Sequence, residues 1–324
     1  MFNVAILNYI SAYKINFKEG KNMRKNLLLS FSVLICVLAT VFFISCGGSG
    51  GGSPSTGILN LSVTDSPVDE ASKVVVKFTG VDIHSSSGNI IHIDISPPKQ
   101  IDLLSLNGGG SEVILNNEVL PSGDYQWVRL NVEADCDEND DSYIEINNTK
   151  HSIWIPSENQ SGLKLVRGFN LPVDGIADFT IDFDLRKSVN FPEGNGNCAG
   201  NYKLKPALRI VRNTEVGSIA GNIDPSLIND AFTGGNAVYV FQDHNITPDD
   251  IDEIVPDPIT TTTVTLDDNG SYVYRASFLD SGNYTIAFTC HADGDDPELD
   301  DTLDFVGKKN VTVAAGLVTV HDFQ

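Results

Sequence analysis

Basic residues are scarce in this chain, with 21 Lys+Arg against 43 Asp+Glu and a formal net charge of −22 at pH 7. Such an acidic surface repels phosphate backbones, which excludes nucleic-acid binding as a function class. Histidine is sparse too: His84, His92, His151, His244, His291 and His321 are scattered singly and not at ligand spacings. There is no H-E-x-x-H, no P-loop and no C-x-x-C, so the chemistries that depend on those spacings have no support. Gly47-Gly48-Ser49-Gly50-Gly51 fits G-x-S-x-G by letters. It sits in a Gly/Ser run with no strand before it and no helix after it, so it is not a nucleophile elbow. Paired carboxylates for glycoside hydrolysis leave no spacing signature, because their separation is spatial.

Methionine occurs only at positions 1 and 23, and the one long apolar run, 27–44, follows Met23-Arg24-Lys25-Asn26. At roughly 18 residues the run is long enough for a short membrane span. Cations in front, an apolar centre and small Ser45 at its end instead fit a secretory signal. Ser45-Cys46-Gly47 resembles the lipobox, whose cysteine is diacylated and becomes the first residue after cleavage; Phe43 stands where Leu is usual. Cys46 is therefore expected to carry the lipid. Translation is expected to begin at Met23, with 1–22 a mis-annotated N-terminal extension, 23–45 a cleaved signal peptide and 46–56 a flexible Gly/Ser tether. Gly47 after the cysteine, where an inner-membrane lipoprotein would have Asp, resembles outer-membrane sorting. Lys14, Lys18, Lys21, Arg24, Lys25 and Glu19 precede Cys46, so residues 46–324 carry 16 Lys+Arg against 42 Asp+Glu, a net of −26.

The remainder reads as all-β, in two consecutive β-sandwich-like domains over 57–213 and 214–324. Leu59, Leu61 and Val63 alternate with polar residues, as do Val74, Val76 and Phe78. In Phe179-Thr180-Ile181-Asp182-Phe183-Asp184-Leu185 the apolar set is expected to face a core, and Thr180, Asp182 and Asp184 to face solvent. Turn signals such as Pro121-Ser122-Gly123-Asp124 and Asn107-Gly108-Gly109-Gly110 punctuate the strands. In 214–324, Ala237-Val238-Tyr239-Val240-Phe241 reads as a strand, and Asp267-Asp268-Asn269-Gly270 as a hairpin turn leading to Ser271-Tyr272-Val273-Tyr274.

Ile58-Leu59-Asn60-Leu61-Ser62-Val63-Thr64-Asp65-Ser66-Pro67, Val74-Val75-Val76-Lys77-Phe78-Thr79-Gly80-Val81 and Ile181-Asp182-Phe183-Asp184-Leu185-Arg186-Lys187-Ser188 together resemble a bacterial lipoprotein family, domain of unknown function 4382. That resemblance covers 57–213 and implies a secreted or lipid-anchored β domain, with no activity or site attached. The order of hairpin and Gly282-Asn283-Tyr284 strand in 214–324 is similar to carboxypeptidase-regulatory-like and transthyretin-like sandwiches, which implies a spacer, a stabiliser or a carbohydrate-surface binder.

Of five cysteines, Cys36 lies in the signal and Cys46 takes the lipid. Cys136 and Cys198 fall in polar loops of one domain and in an oxidising envelope are expected to form a disulfide, closing a loop of about 62 residues and contributing about 3–4 kcal/mol. Cys290 shares a period of two with Tyr284, Ile286 and Phe288 and is expected to be a buried free thiol. Two acidic loops are candidate Ca²⁺ sites. Asp135, Asp137, Asn139 and Asp141 alternate as in the first half of an EF-hand, but Asp140 replaces the required glycine and Glu145 falls one place short of the closing ligand. Asp293, Asp295, Asp296, Asp300 and Asp301 pack within one short loop, where like charges repel unless solvated or bridged by a cation.

These features make the expected function that of a lipid-anchored cell-envelope protein at the outer membrane, facing the periplasm or the exterior. It is read as a non-enzymatic binding or structural module whose partner is a glycan or another envelope protein. The alternative is an uncharacterised carbohydrate-active or other hydrolytic enzyme. Trp127 and Trp154 on one concave face would mark binding, and converging buried carboxylates in a deep cleft would mark the enzyme.

Overall fold

Alternating apolar residues pair into sheets over most of what the computed structural model describes, namely residues 55–66, 71–135, 141–155, 163–190, 200–205, 207–229 and 235–324. The 1–22 extension, the signal, the tether as far as residue 54 with Cys46, and Cys136 and Cys198 lie outside the described residues, while Thr56 at the tether's end already belongs to the first strand.

The first sandwich comprises β1 (Thr56–Ser66), β2 (Lys73–Ser85), β3 (Ile90–Asp102), β4 (Glu112–Pro121), β5 (Gly123–Glu133), β6 (Tyr143–Ile146), β7 (Thr149–Trp154), β8 (Leu163–Leu165), β9 (Phe169–Leu171), β10 (Ile176–Asp184), β11 (Val189–Asn190), β12 (Tyr202–Leu204) and β13 (Leu208–Arg212). One helical turn, α1 (Leu185–Ser188), follows β10. The smaller sheet runs β13-β10-β1-β4, with β1 and β10 parallel. The larger has nine strands centred on β2, which pairs with β3 on one edge and with β5 and β6, end to end, on the other. Leu59, Leu61 and Val63 of one sheet and Val74, Val76, Phe78, Val81 and Ile83 of the other share one core. Phe78 and Phe183 meet edge to face there, with ring centroids 6.1 Å apart. Burial at this scale is what stabilises a sandwich, each such side chain contributing about 1.5–3 kcal/mol.

The second sandwich comprises β14 (Val216–Asn222), β15 (Ala237–Gln242), β16 (Thr260–Thr263), β17 (Thr265–Leu266), β18 (Tyr272–Asp280), β19 (Gly282–Thr289), β20 (Val306–Val313) and β21 (Val318–Val320). Its sheets run β17-β18-β14-β21 and β16-β15-β19-β20. Every residue from Ala237 to Phe241 is buried, on both faces of the sheet. Val238 and Val240 face the core between the sheets. Ala237, Tyr239 and Phe241 form a separate cluster with Ile251, Ala292, Leu303 and Phe305, so the loops 243–259 and 290–305 cover the sheet's other side.

A six-residue device recurs in both sandwiches. Leu120-Pro121-Ser122-Gly123-Asp124-Tyr125 joins β4 to β5, and Leu279-Asp280-Ser281-Gly282-Asn283-Tyr284 joins β18 to β19. In each, the buried tyrosine hydroxyl donates to the carbonyl four residues earlier at 2.6 Å, a tyrosine corner. In each, the serine hydroxyl also donates to the backbone at the start of the sandwich, Ser55 in one and Glu215 in the other.

The expectation that Thr180, Asp182 and Asp184 face solvent is overturned. All three are buried, along with Ser62 and Thr64 of neighbouring β1. The period of two is intact, and Phe179, Ile181 and Phe183 do face the core. The outer face of this sheet is covered because the second sandwich lies against it, with Thr260, Thr261 and Thr262 of β16 buried opposite.

Candidate functional site

The seam between the sandwiches is polar, and its charges are arranged asymmetrically. Among the described residues, five cations of the first sandwich reach acceptors far along the chain in the second, while Arg212 pairs with nearby Glu215 at 3.3 Å. Arg209 donates to the Ser277 carbonyl at 3.4 Å, Arg186 to the Tyr239 hydroxyl at 3.3 Å and Arg167 to Asp280 at 3.4 Å. Lys205 pairs with Glu298 at 2.9 Å, and Lys187 holds both the Asp257 carboxylate and the Pro258 carbonyl. A bulge in β18 contributes: Ser277 and Phe278 lie where β14 has the single residue Ser218, and Phe278 adopts φ +57. A bulky side chain in that region is uncommon, and bulges typically re-aim backbone groups. Here the re-aimed group is the Ser277 carbonyl. Close approach also requires Gly109 (φ +102), where a Cβ would sit 2.6 Å from Ser277 Oγ.

Burial sets the ionisation of the seam's acids. Asp182 accepts from Arg209 Nε at 2.7 Å, yet desolvation outweighs the pairing and raises its pKa. Asp184, which caps α1 by accepting from Lys187 N at 3.2 Å, is pushed up to about 6 by burial, against the attraction of Lys187. A carboxyl whose folded pKa exceeds its unfolded value near 3.8 favours folding most when protonated. The contribution is fully present below about pH 4 and is lost as pH rises through about 6. For Asp184 the total is about 3 kcal/mol, of which about 1 kcal/mol falls between pH 5 and pH 7. Urea unfolding of wild type and Asp184→Asn at those two pH values is expected to show the variant's pH dependence shallower by that amount; equal slopes would mean that Asp184 titrates normally.

Where the seam opens to solvent there is a groove of about 510 Å³, lined by Asn107 and Gly108 of the first sandwich and by Asn222, Thr262, Thr263, Thr265, Tyr274 and Arg275 of the second. The buried acids do not line it. Asp65 and Asp182, with Thr64, border a separate void of about 10 Å³, room for one water at most.

The structure distributes the sequence-predicted sites unevenly. Asp295 and Asp301 come together with Asp250, and Asp300 with Asp250 and Asp252; in each triad one carboxylate oxygen per residue lies within 4.8 Å of the others. Asp293 lies beside Gly235, and Asp296 accepts from Glu298 N at 3.0 Å; neither belongs to a triad. Burial pushes Asp295 up to about 6, although Tyr239 donates to it, and raises Asp250 as well. In the first acidic loop, Asp137 and Asn139 lie outside the described residues, and Asp141 is already paired with Lys77 at 2.8 Å.

Trp127 and Trp154 do not converge. Trp127 is level with His84 of β2, and Trp154 is level with Lys77, roughly 20 Å away along the strand. Trp127 is stacked on His84 at 4.9 Å, with Lys164 Nζ 4.4 Å from its centroid, so its ring faces are occupied. Cys290 is a free thiol but only half-buried, because β19 ends at Thr289. Past the strand end the alternation of faces lapses, and Cys290 Sγ lies 3.4 Å from His291 Nδ1.

Strands β1 to β12 form the part of the chain with a recognisable relative. Residues 56–206 match the family model Domain of unknown function (DUF4382). The DUF4382 match stops short of β13, the strand that completes the smaller sheet and carries Arg209. No curated protein matches the chain. Among solved structures, the Bacillus anthracis TIE protein is 11% identical with a TM-score of 0.19; the match covers 83% of this chain, which spans about a third (34%) of that one. GBS52, the minor pilin of Streptococcus agalactiae, is 9% identical over 82% of this chain and 94% of that chain, with a TM-score of 0.19. A putative cell adhesion protein from Bacteroides fragilis is 8% identical over 82% and 92%, with a TM-score of 0.20.

Proposed function

We propose that this is a lipid-anchored cell-envelope protein, attached through Cys46 and sorted to the outer membrane, that binds a glycan in the groove between its two sandwiches. The observation that carries this reading is the groove's chemistry. Asn107, Thr263 and Thr265 supply groups that both donate and accept, as a hydroxyl-rich ligand requires, and Arg275 adds a fixed donor fork. Gly108, with open space where a Cβ would sit, lets a ligand approach the backbone. Among the described residues, no Asp or Glu lines the groove, whereas acid-pair glycoside hydrolysis needs two. This favours binding over the carbohydrate-active alternative.

A glycan array probed with the mature chain tests the reading. Wild type is expected to retain a defined set of glycans, and Arg275→Ala to bind them at least tenfold more weakly. Arg275 hydrogen-bonds Ser218 and Ser277 at the groove's edge and is not a core residue, so the fold should survive the change. No retained glycan, together with capture of an envelope protein from extract, would replace the glycan with a protein partner.

A further inference from the structure

The two aspartate triads share Asp250, and its surroundings suit a cation. Asp250 is 1% exposed; one of its oxygens accepts from Asp301 N, while the other, Oδ1, is buried with no hydrogen-bond partner among the described residues. A buried carboxylate oxygen left without a donor costs free energy that a bound cation would recover. The neighbouring groups are oxygens: Asp295 and Asp301 on one side, half-buried, and Asp252 and Asp300 on the other, the last exposed. Calcium takes six to eight oxygens at about 2.3–2.6 Å, so ligands on opposite sides of one ion lie about 5 Å apart. The mutual separation of no more than 4.8 Å within each triad fits that span.

We propose that Asp250, Asp252, Asp295, Asp300 and Asp301 bind a calcium ion that fastens the loop 249–257 to the loop 293–304. The site extends the acidic stretch 293–301 by two residues from a loop more than forty positions earlier. It also borders the seam. Asp295 accepts from the hydroxyl of Tyr239, and that hydroxyl in turn receives Arg186 of the first sandwich. The same two loops carry Asp257, which holds Lys187, and Glu298, which holds Lys205. Two of the five cations that reach across the seam therefore close on chain that the ion would hold in place, and Arg186 reaches the ligand Asp295 through Tyr239. The ion also offsets repulsion among carboxylates whose oxygens lie within 4.8 Å of one another in each triad. The site is independent of which ligand the groove takes.

The test uses the mature chain, stripped with EDTA and titrated with calcium chloride. Calorimetry is expected to give one calcium per chain, and saturating calcium to raise the melting temperature by several degrees, as any ligand selective for the folded state does. Asp250→Asn keeps an acceptor for Asp301 N and should fold; it is expected to bind calcium at least tenfold more weakly and to lose the thermal shift. Should it fail to fold, exposed Asp300→Asn carries the same expectation. Asp268→Asn, in the turn before β18, should respond as wild type does. Terbium in place of calcium should luminesce on tyrosine excitation through Tyr239, and Tyr239→Phe should abolish that emission. Silent calorimetry at millimolar calcium, unaltered binding by both Asp250→Asn and Asp300→Asn, or terbium emission that survives Tyr239→Phe would each overturn the assignment.

Discussion

Replacing Arg209 by Met is expected to destabilise the folded chain by about 3–5 kcal/mol, seen as a fall in melting temperature on the order of 10 °C. The Arg209 guanidinium places Nε at 2.7 Å and Nη2 at 2.5 Å on one oxygen of Asp182, whose side chain is only 5% exposed. Removing the cation leaves a carboxylate in the seam with no water to replace it. Uptake of a proton by Asp182 limits the cost but does not abolish it, because burial already raises that pKa with Arg209 present. Arg209 also reaches the Ser277 carbonyl, so part of the loss falls on the docking of the second sandwich. The double variant Arg209→Met/Asp182→Leu removes the stranded charge along with its partner and is expected to recover at least half of the loss, as replacing both members of a buried pair commonly does. Urea and thermal unfolding of wild type, single and double variants measure this. A single-variant cost below about 1 kcal/mol would mean that the pair behaves as a surface salt bridge.

Asp182 also shows where the sequence was legible and where it was not. Alternation marks β10 and correctly divides Phe179, Ile181 and Phe183 from Thr180, Asp182 and Asp184, because a strand's period of two is a local property. Whether the polar face meets water depends on what packs against it. In this chain a second sandwich does, bringing Thr260–Thr262 and Ser277 from about ninety residues away. The calcium candidates divide in the same way. The dense run 293–301 is conspicuous as a string of carboxylates, whereas Asp250 and Asp252 join it only because loops 243–259 and 290–305 cover the same face of one sheet. One non-local signal was present in the letters. Leu-Pro-Ser-Gly-Asp-Tyr and Leu-Asp-Ser-Gly-Asn-Tyr repeat the same turn and tyrosine corner in both halves, and their similarity marks equivalent hairpins in two sandwiches. Trp127 is the opposite case. An aromatic residue on an outer face suggests a stacking platform, but its cross-strand neighbours His84 and Lys164 occupy the ring.

On the proposed lipidation, a Cys46→Ala chain whose signal peptide is still removed is expected to move almost completely from the membrane fraction to the soluble fraction. Each buried methylene of an acyl chain contributes about 0.8 kcal/mol; a single chain anchors only marginally, and stable attachment needs a second signal. Diacylation of Cys46, as proposed, would supply two chains at one residue, and its removal would take both. No helix among the described residues is long and apolar enough to cross a membrane. The net charge of −26 on residues 46–324 repels anionic headgroups, so no polybasic attraction compensates for the lost lipid. Where processing requires the lipidated cysteine, Cys46→Ala instead keeps its signal peptide, and the retained 23–45 segment holds it to the membrane. Mass spectrometry of the N-terminus separates that outcome from anchoring by lipid. A second variant, with the lipobox exchanged for an ordinary secretory cleavage site, tests the lipid without this complication. If that second protein is correctly processed and still sediments with membranes, attachment does not run through Cys46, and the β body itself must carry the membrane contact.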